Sequence, residues 1–220
     1  MMRISFDSQV IFHEINGWEK DSVLKDVILT CVEAQKKAGE AKWKDDFRTD
    51  DNAIKSVSPE ALEEILRSGK DISDIRTEQN LSNCMVFHTK NLDGTVLDAS
   101  VLDLRQRADK LICERLGHIF EEPEKLLIQM SGHFWYPPGG YMGWHTNLRK
   151  PGWRLYVNYA QEAGKSFFRY RDPDNGRIVT SMDQIWNFRL FLISPEKPFW
   201  HAVYSQTNRF SFGYTIQRKP

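Results

Sequence analysis

The sequence predicts an α+β chain that is mainly β, with flanking helices and a helical N-terminal portion. Three observations carry this. Composition shifts near residue 125, from a charged half with helical periodicity to an aromatic, β-branched half punctuated by turns. The second half divides into many short strands at regular spacing, the pattern of a sandwich or barrel-like double sheet. Aromatics are abundant (13 Phe, seven Tyr and seven Trp) and concentrate after residue 130. At 220 residues the chain reads as one domain. Residues 1–125 form its mostly helical N-terminal part, packing on a core at 126–217 that carries the candidate site.

Three helices are expected in the first half. Asp21 or Ser22 can cap one running to about Lys37, with Val23, Val27, Leu29, Cys31 and Val32 as its apolar stripe. Ser58-Pro59-Glu60-Ala61 starts a second, with Ser as N-cap and Pro at the first helical position; Leu62, Ile65 and Leu66 face inward and Gly69 ends it. The longest runs from Leu97 to Leu116, and Gly117 can stop it. Ala41 to Val57 is polar and reads as loop, and Asn83 to Thr89 as a strand. Further strands are expected at Leu126–Tyr136, Tyr141–Asn147, Arg154–Tyr159, Ser166–Arg171, Arg177–Met182, Gln184–Ile193, Trp200–Tyr204 and Arg209–Gln217. Pro173-Asp174-Asn175-Gly176 is a strong turn signal, so the strands beside it should form a hairpin.

Bulk properties narrow the function. Lys+Arg and Asp+Glu both number 30, so no global charge draws the chain to nucleic acid or an anionic membrane. No apolar run approaches the ~20 residues that span a bilayer. The first residues turn polar too soon for a signal peptide. Cys31, Cys84 and Cys113 are odd in number and far apart, which fits reduced thiols in the cytoplasm better than a disulfide framework or a zinc site.

Chemistry concentrates at Gly143-Trp144-His145-Thr146-Asn147, at His201 and at Arg209-Phe210-Ser211. Side chains alternate along a strand, so His145 and Asn147 should point the same way, as a chelating pair requires. A distant strand must then supply His201. Arg209 and Ser211 share one face of the last strand, whose other face carries Phe210, Phe212, Tyr214 and Ile216. A buried Arg209 needs a partner. A dicarboxylate suits it, because a guanidinium can grip a carboxylate in two places.

The order His-x-(acid position), His, Arg-x-Ser resembles the 2-oxoglutarate- and Fe(II)-dependent oxygenase superfamily over residues 126–217. The run Tyr136-Pro137-Pro138-Gly139-Gly140-Tyr141 before His145 resembles its prolyl-hydroxylase-like branch. The resemblance implies a double-stranded β-helix, a jelly-roll or cupin-like pair of sheets with helices outside. It implies His145 and His201 as iron ligands. Arg209 would pair with the far carboxylate of 2-oxoglutarate, supported by Ser211, with Tyr136 and Tyr159 lining the pocket. Fe(II), 2-oxoglutarate and O₂ would then hydroxylate an unactivated C–H bond and release succinate and CO₂. The substrate class stays open among small molecules, protein side chains and nucleic acid.

Asn147 stands where the superfamily carries an acid. Several readings compete. Asn147 ligates through its carbonyl oxygen; Asp172 or Asp183 replaces it; or two histidines hold the metal with water or halide, as in a halogenase-like member. A degenerate site on a non-catalytic jelly-roll binding module, cupin-like or lectin-like, is the reading from another class. Outside the constellation, His133 reads equally as pocket lining or packing. The basic-aromatic run Leu148 to Arg154 reads as a solvated loop rather than a nucleic-acid contact.

Overall fold

The computed structural model describes residues 3–43, 52–70, 72, 82–87 and 99–219, without the side chains of 41–43, 85–87 and 99–102. Two antiparallel sheets face each other. The larger takes the order β1 (Phe12–Glu14), β9 (Trp186–Ile193), β6 (Gly152–Ala160), β11 (Arg209–Arg218), β4 (Leu126–Tyr136), β3 (Met85–Phe87). The smaller takes β2 (Ser82–Asn83), β5 (Tyr141–His145), β10 (His201–Ser205), β7 (Ser166–Arg171), β8 (Ile178–Met182). This is the expected jelly-roll-like double sheet. The first half of the chain contributes β1, β2 and β3 to it as well as helices. The strand expected over Asn83–Thr89 is two short pieces, and its last two residues lie outside the described residues.

Helices cover both outer faces. α1 (Ser22–Trp43) and α4 (Ala99–Gly117) pack together on the larger sheet. The Asp21 carboxylate caps α1 by accepting from Leu24 N at 3.0 Å, and Arg115 of α4 binds the same carboxylate at 2.7 Å. Leu24, Ile28, Cys31, Ile112 and Leu116 meet the outward row Phe210, Phe212, Tyr214 and Ile216. α1 outlasts its expected end near Lys37, and α2 (Ala53–Ser56) lies in the stretch read as loop. α3 (Pro59–Ser68) starts as its sequence requires, with Ser58 Oγ accepting from Ala61 N and Gly69 closing it at φ 66°. α2 and α3 cover the smaller sheet, where Ala53, Val57 and Leu62 pack with Trp144, Trp200 and Ala202. A third apolar cluster (Tyr136, Met142, Phe168, Phe191, Phe199 and Val203) fills the space between the sheets.

The Pro173–Gly176 turn joins β7 to β8 as a hairpin. His133 faces outward from β4, under the helices. One ring nitrogen lies 3.1 Å from Gln35 Nε2 and the other 3.1 Å from Asp109, which also accepts from Tyr214 OH at 2.5 Å. Of its two readings, packing holds.

Burial pushes His133 down to about 4, despite the raising hydrogen bond to Asp109. Its folded value lies below the ordinary ~6.5, so its contribution is complete above that pH. It is lost as pH falls toward 4. The loss is on the order of 3 kcal/mol. Denaturant unfolding between pH 7.5 and 4.5 should show falling stability, to which the buried His201 adds. His133→Gln should flatten part of the slope.

Candidate active site

The cleft between the sheets holds the site. β10 lies between β5 and β7, and the register sets His201 opposite His145 on one side and Tyr170 on the other. Both imidazoles are buried, with ring centroids 4.1 Å apart at 50°. Each ring is pinned the same way. His145 Nδ1 lies 2.8 Å from the Gly143 carbonyl and His201 Nδ1 lies 2.9 Å from the Phe199 carbonyl. A carbonyl only accepts, so each Nδ1 carries a proton, which leaves each Nε2 as the nitrogen that could bind a metal. Backbone-fixed tautomers of this kind orient metal-binding histidines.

His201 is enclosed by Phe191 (5.2 Å), Phe168 (5.5 Å), Phe199 (5.8 Å) and Tyr156 (6.2 Å). Burial, then the charges of His145 and Arg154, hold it well below the usual imidazole range. The ring is therefore a neutral nitrogen donor at pH 7.

Asn147 reaches the pair by a different route from the one expected. β5 ends at His145, and Asn147 has φ 60°, in the left-handed region. A turn, closed by Lys150 N donating to the Asn147 carbonyl at 3.1 Å, brings its side chain back. Asn147 Nδ2 then lies 3.2 Å from His201 Nε2 and 3.3 Å from the Tyr156 hydroxyl. Strand alternation does not place it, although the outcome for the side chain is the one a chelating set needs.

The proposed substitute acids lie elsewhere. Asp172 caps the hairpin turn, accepting from Asp174 N and Asn175 Nδ2. Asp183 is fully buried and accepts from Ser166 Oγ at 2.6 Å, Arg189 Nη1 at 2.5 Å and Arg209 Nε at 2.7 Å. Burial would raise its carboxyl, but Arg209 and Arg189 overcome that and hold it at about 2. Among the described residues no three His, Cys, Asp or Glu gather as a metal cluster. The donors at hand are two imidazoles and one amide, a set that imidazole-binding transition metals accept.

Arg209 is buried, with Asp183 holding Nε and the Tyr136 ring 5.2 Å from its Cζ. Among the described residues its Nη1 and Nη2 have no hydrogen-bond partner. Buried donors left unmet are costly, and this fork fits a carboxylate oxygen pair. Register places Tyr136 beside Arg209, and Asn158 and Phe134 beside Ser211, on the same inner face. Asn158 is also fully buried, and among the described residues neither its amide nitrogen nor its oxygen has a partner. This polar floor fits the carboxylate end of a 2-oxo acid.

Tyr159 does not join the site. It pairs with Phe210 in register, so it faces outward, where it meets Trp186 at 5.0 Å and the cluster under the helices. The inward residues of β6 are Arg154, Tyr156 and Asn158, two positions apart. Tyr156 and Asn158 went unread, although alternation against the apolar row Trp153, Leu155, Val157 would have marked them. Gly213 lies opposite Tyr156, and a Cβ there would stand 2.7 Å from Ser131 Oγ and 3.4 Å from Tyr156 Cε1. Arg154 also bends the basic run inward, donating to the Lys150 carbonyl at 2.6 Å.

No family model matches the sequence, and no curated protein matches it. Among solved structures, a prolyl-4-hydroxylase from Pseudomonas putida matches with TM-score 0.52 and 11% identity, over 95% of this chain and 93% of that one. The fold is that of this prolyl-4-hydroxylase. More distant are a Trichoplax adhaerens prolyl hydroxylase in complex with a hypoxia-inducible-factor peptide fragment (TM-score 0.43, 10% identity, 93% and 94% covered) and a 2OG-Fe(II) oxygenase family oxidoreductase from Burkholderia pseudomallei (0.38, 11%, 55% and 55%). No helix of the described residues is long and apolar enough to cross a membrane.

Asp183 is the residue whose loss should cost most. Asp183→Ala strands two buried guanidinium groups, and breaking a buried pair in this way costs about 3–5 kcal/mol. Denaturant melts of the variant should show a loss of that size.

Proposed function

We propose that the protein is an Fe(II)- and 2-oxoglutarate-dependent dioxygenase that hydroxylates a C–H bond. The observation that carries this reading is the pairing of two buried, backbone-pinned histidines with a buried arginine fork whose outer donors are unmet among the described residues of the same cleft. His145 and His201 would hold the metal through Nε2, with Asn147 as the third, neutral donor. Arg209 would grip the far carboxylate of 2-oxoglutarate, with Ser211 and Tyr136 beside it. Iron, when bound with 2-oxoglutarate and O₂, supplies the oxidation that inserts oxygen into the C–H bond and releases succinate and CO₂.

The chain's own residues do the rest. Asp183 orients Arg209 by holding Nε, which turns the two outer nitrogens toward the ligand. Phe168, Phe191 and Phe199 exclude water around His201 and keep it neutral. A halogenase-like centre needs a small residue at the acid position. The Asn147 amide fills that place beside His201, which favours hydroxylation.

An anaerobic titration with Fe(II) and 2-oxoglutarate tests the reading. A weak visible charge-transfer band and a raised unfolding temperature are expected; neither appearing would overturn it. Arg209→Lys keeps the charge but loses the fork, and should weaken the 2-oxoglutarate-dependent rise while leaving Fe(II) binding intact. Asn147→Asp adds a negative charge at the metal and should tighten Fe(II) binding. An unchanged affinity would remove Asn147 from the ligand set.

A further inference from the structure

We infer that Tyr156 sets the orientation of the Asn147 amide, so that metal binding turns the carbonyl oxygen inward and the tyrosine hydroxyl holds it there. This inference rests on the reading of His145, His201 and Asn147 as the metal-binding set.

The geometry places one amide nitrogen between two groups. Asn147 Nδ2 lies 3.2 Å from His201 Nε2 and 3.3 Å from the Tyr156 hydroxyl. His201 Nδ1–H donates to the Phe199 carbonyl, so in the neutral ring Nε2 can only accept. The amide N–H therefore caps the lone pair that a metal would use. A metal that takes this lone pair removes the acceptor, and Nδ2, which has no lone pair to offer, would face the cation. Rotation of the amide about its last bond exchanges N for O in nearly the same place. The oxygen would then stand about 3.2 Å from Nε2. Two donors bound at ~2.1 Å and at right angles lie about 3 Å apart, so this spacing suits neighbouring positions on one metal.

Tyr156 can serve both orientations because a phenol accepts and donates. It accepts from Nδ2 here, and would donate to Oδ1 once the amide turns. A neutral amide needs such a guide more than a carboxylate does: only one of its two ends binds a cation, whereas either carboxylate oxygen binds. The ring is fixed for the task. It is partly buried against the cluster between the sheets, stands edge-on to Phe191 at 4.9 Å, and faces the backbone of Gly213, which bears no side chain. Tyr156 thus acts as a positioning residue through Asn147.

The test is Mn(II) affinity, read on the full-length protein from the electron paramagnetic resonance signal of free Mn(II), without turnover. Tyr156→Phe removes the hydroxyl and keeps the ring. It should weaken Mn(II) binding about tenfold, the worth of one good hydrogen bond. In an Asn147→Asp background the same change should cost little. An equal loss in both backgrounds, or none with Asn147 present, would overturn the inference. Asn147→Gly supplies a second route if Tyr156→Phe does not fold: it should weaken Mn(II) binding to a similar extent, and unchanged binding would overturn the inference. His145→Ala separates the two levels of the argument. Loss of Mn(II) binding in that variant supports the underlying site, whereas retained binding overturns site and inference together.

Discussion

One buried carboxylate ties the two sheets together. Asp183 follows the last residue of β8 in the smaller sheet and receives hydrogen bonds from Ser166 of β7, Arg189 of β9 and Arg209 of β11. Its backbone N–H also donates to the Ser166 carbonyl, and its carbonyl accepts from Gly164 N. Apolar packing between the sheets would tolerate sliding; a carboxylate with three fixed donors does not. Removing these charges from water is expensive, and only full pairing compensates for it. Asp183 secures Arg209 through Nε alone, so the cluster that closes the fold also leaves a guanidinium fork facing the cleft. Stability and ligand recognition share one residue.

Polarity is sorted along the cleft. Around His201 the neighbours are phenyl rings, and burial among them keeps its imidazole neutral. Around Arg209 they are Ser211, Asn158 and Tyr136, a polar floor on adjacent strands, with Asp183 reaching across from the end of β8. The larger sheet supplies the floor, and the smaller sheet supplies both histidines. A molecule lying between them would touch both sheets, so the separation fixed by Asp183 governs the chemistry at the other end.

Much of this was legible from residues two apart. Phe210, Phe212, Tyr214 and Ile216 against Arg209 and Ser211 declared a two-sided strand, and that strand is the centre of the larger sheet. The same rule failed twice, for different reasons. Tyr159 was read inward although its row, Trp153, Leu155 and Val157, is the apolar one; alternation places it under the helices. Asn147 was placed by alternation although the strand stops two residues earlier, at His145. A left-handed residue leaves only a faint mark in sequence, since Asn is common in many settings. The partnership of Asp183 with Arg209 was not legible at all. It joins residues 26 positions apart through the fold, and a lone aspartate after a hairpin gives no sign of it.

The backbone at Asn147 acts as a filter on coordination chemistry. At φ 60°, β-branched and bulky residues are strained, while Asn, Asp and Gly are admitted at low cost. Those three are an amide, a carboxylate and no side chain. If His145 and His201 hold a metal as proposed, the turn that returns this position to them would limit its third site to a neutral donor, an anionic one, or an open place for an outside ligand. On the proposed reading, change at this residue would move the centre among these three charge states without rebuilding the loop, so the reaction type would rest on one backbone angle and the short list of residues that it accepts.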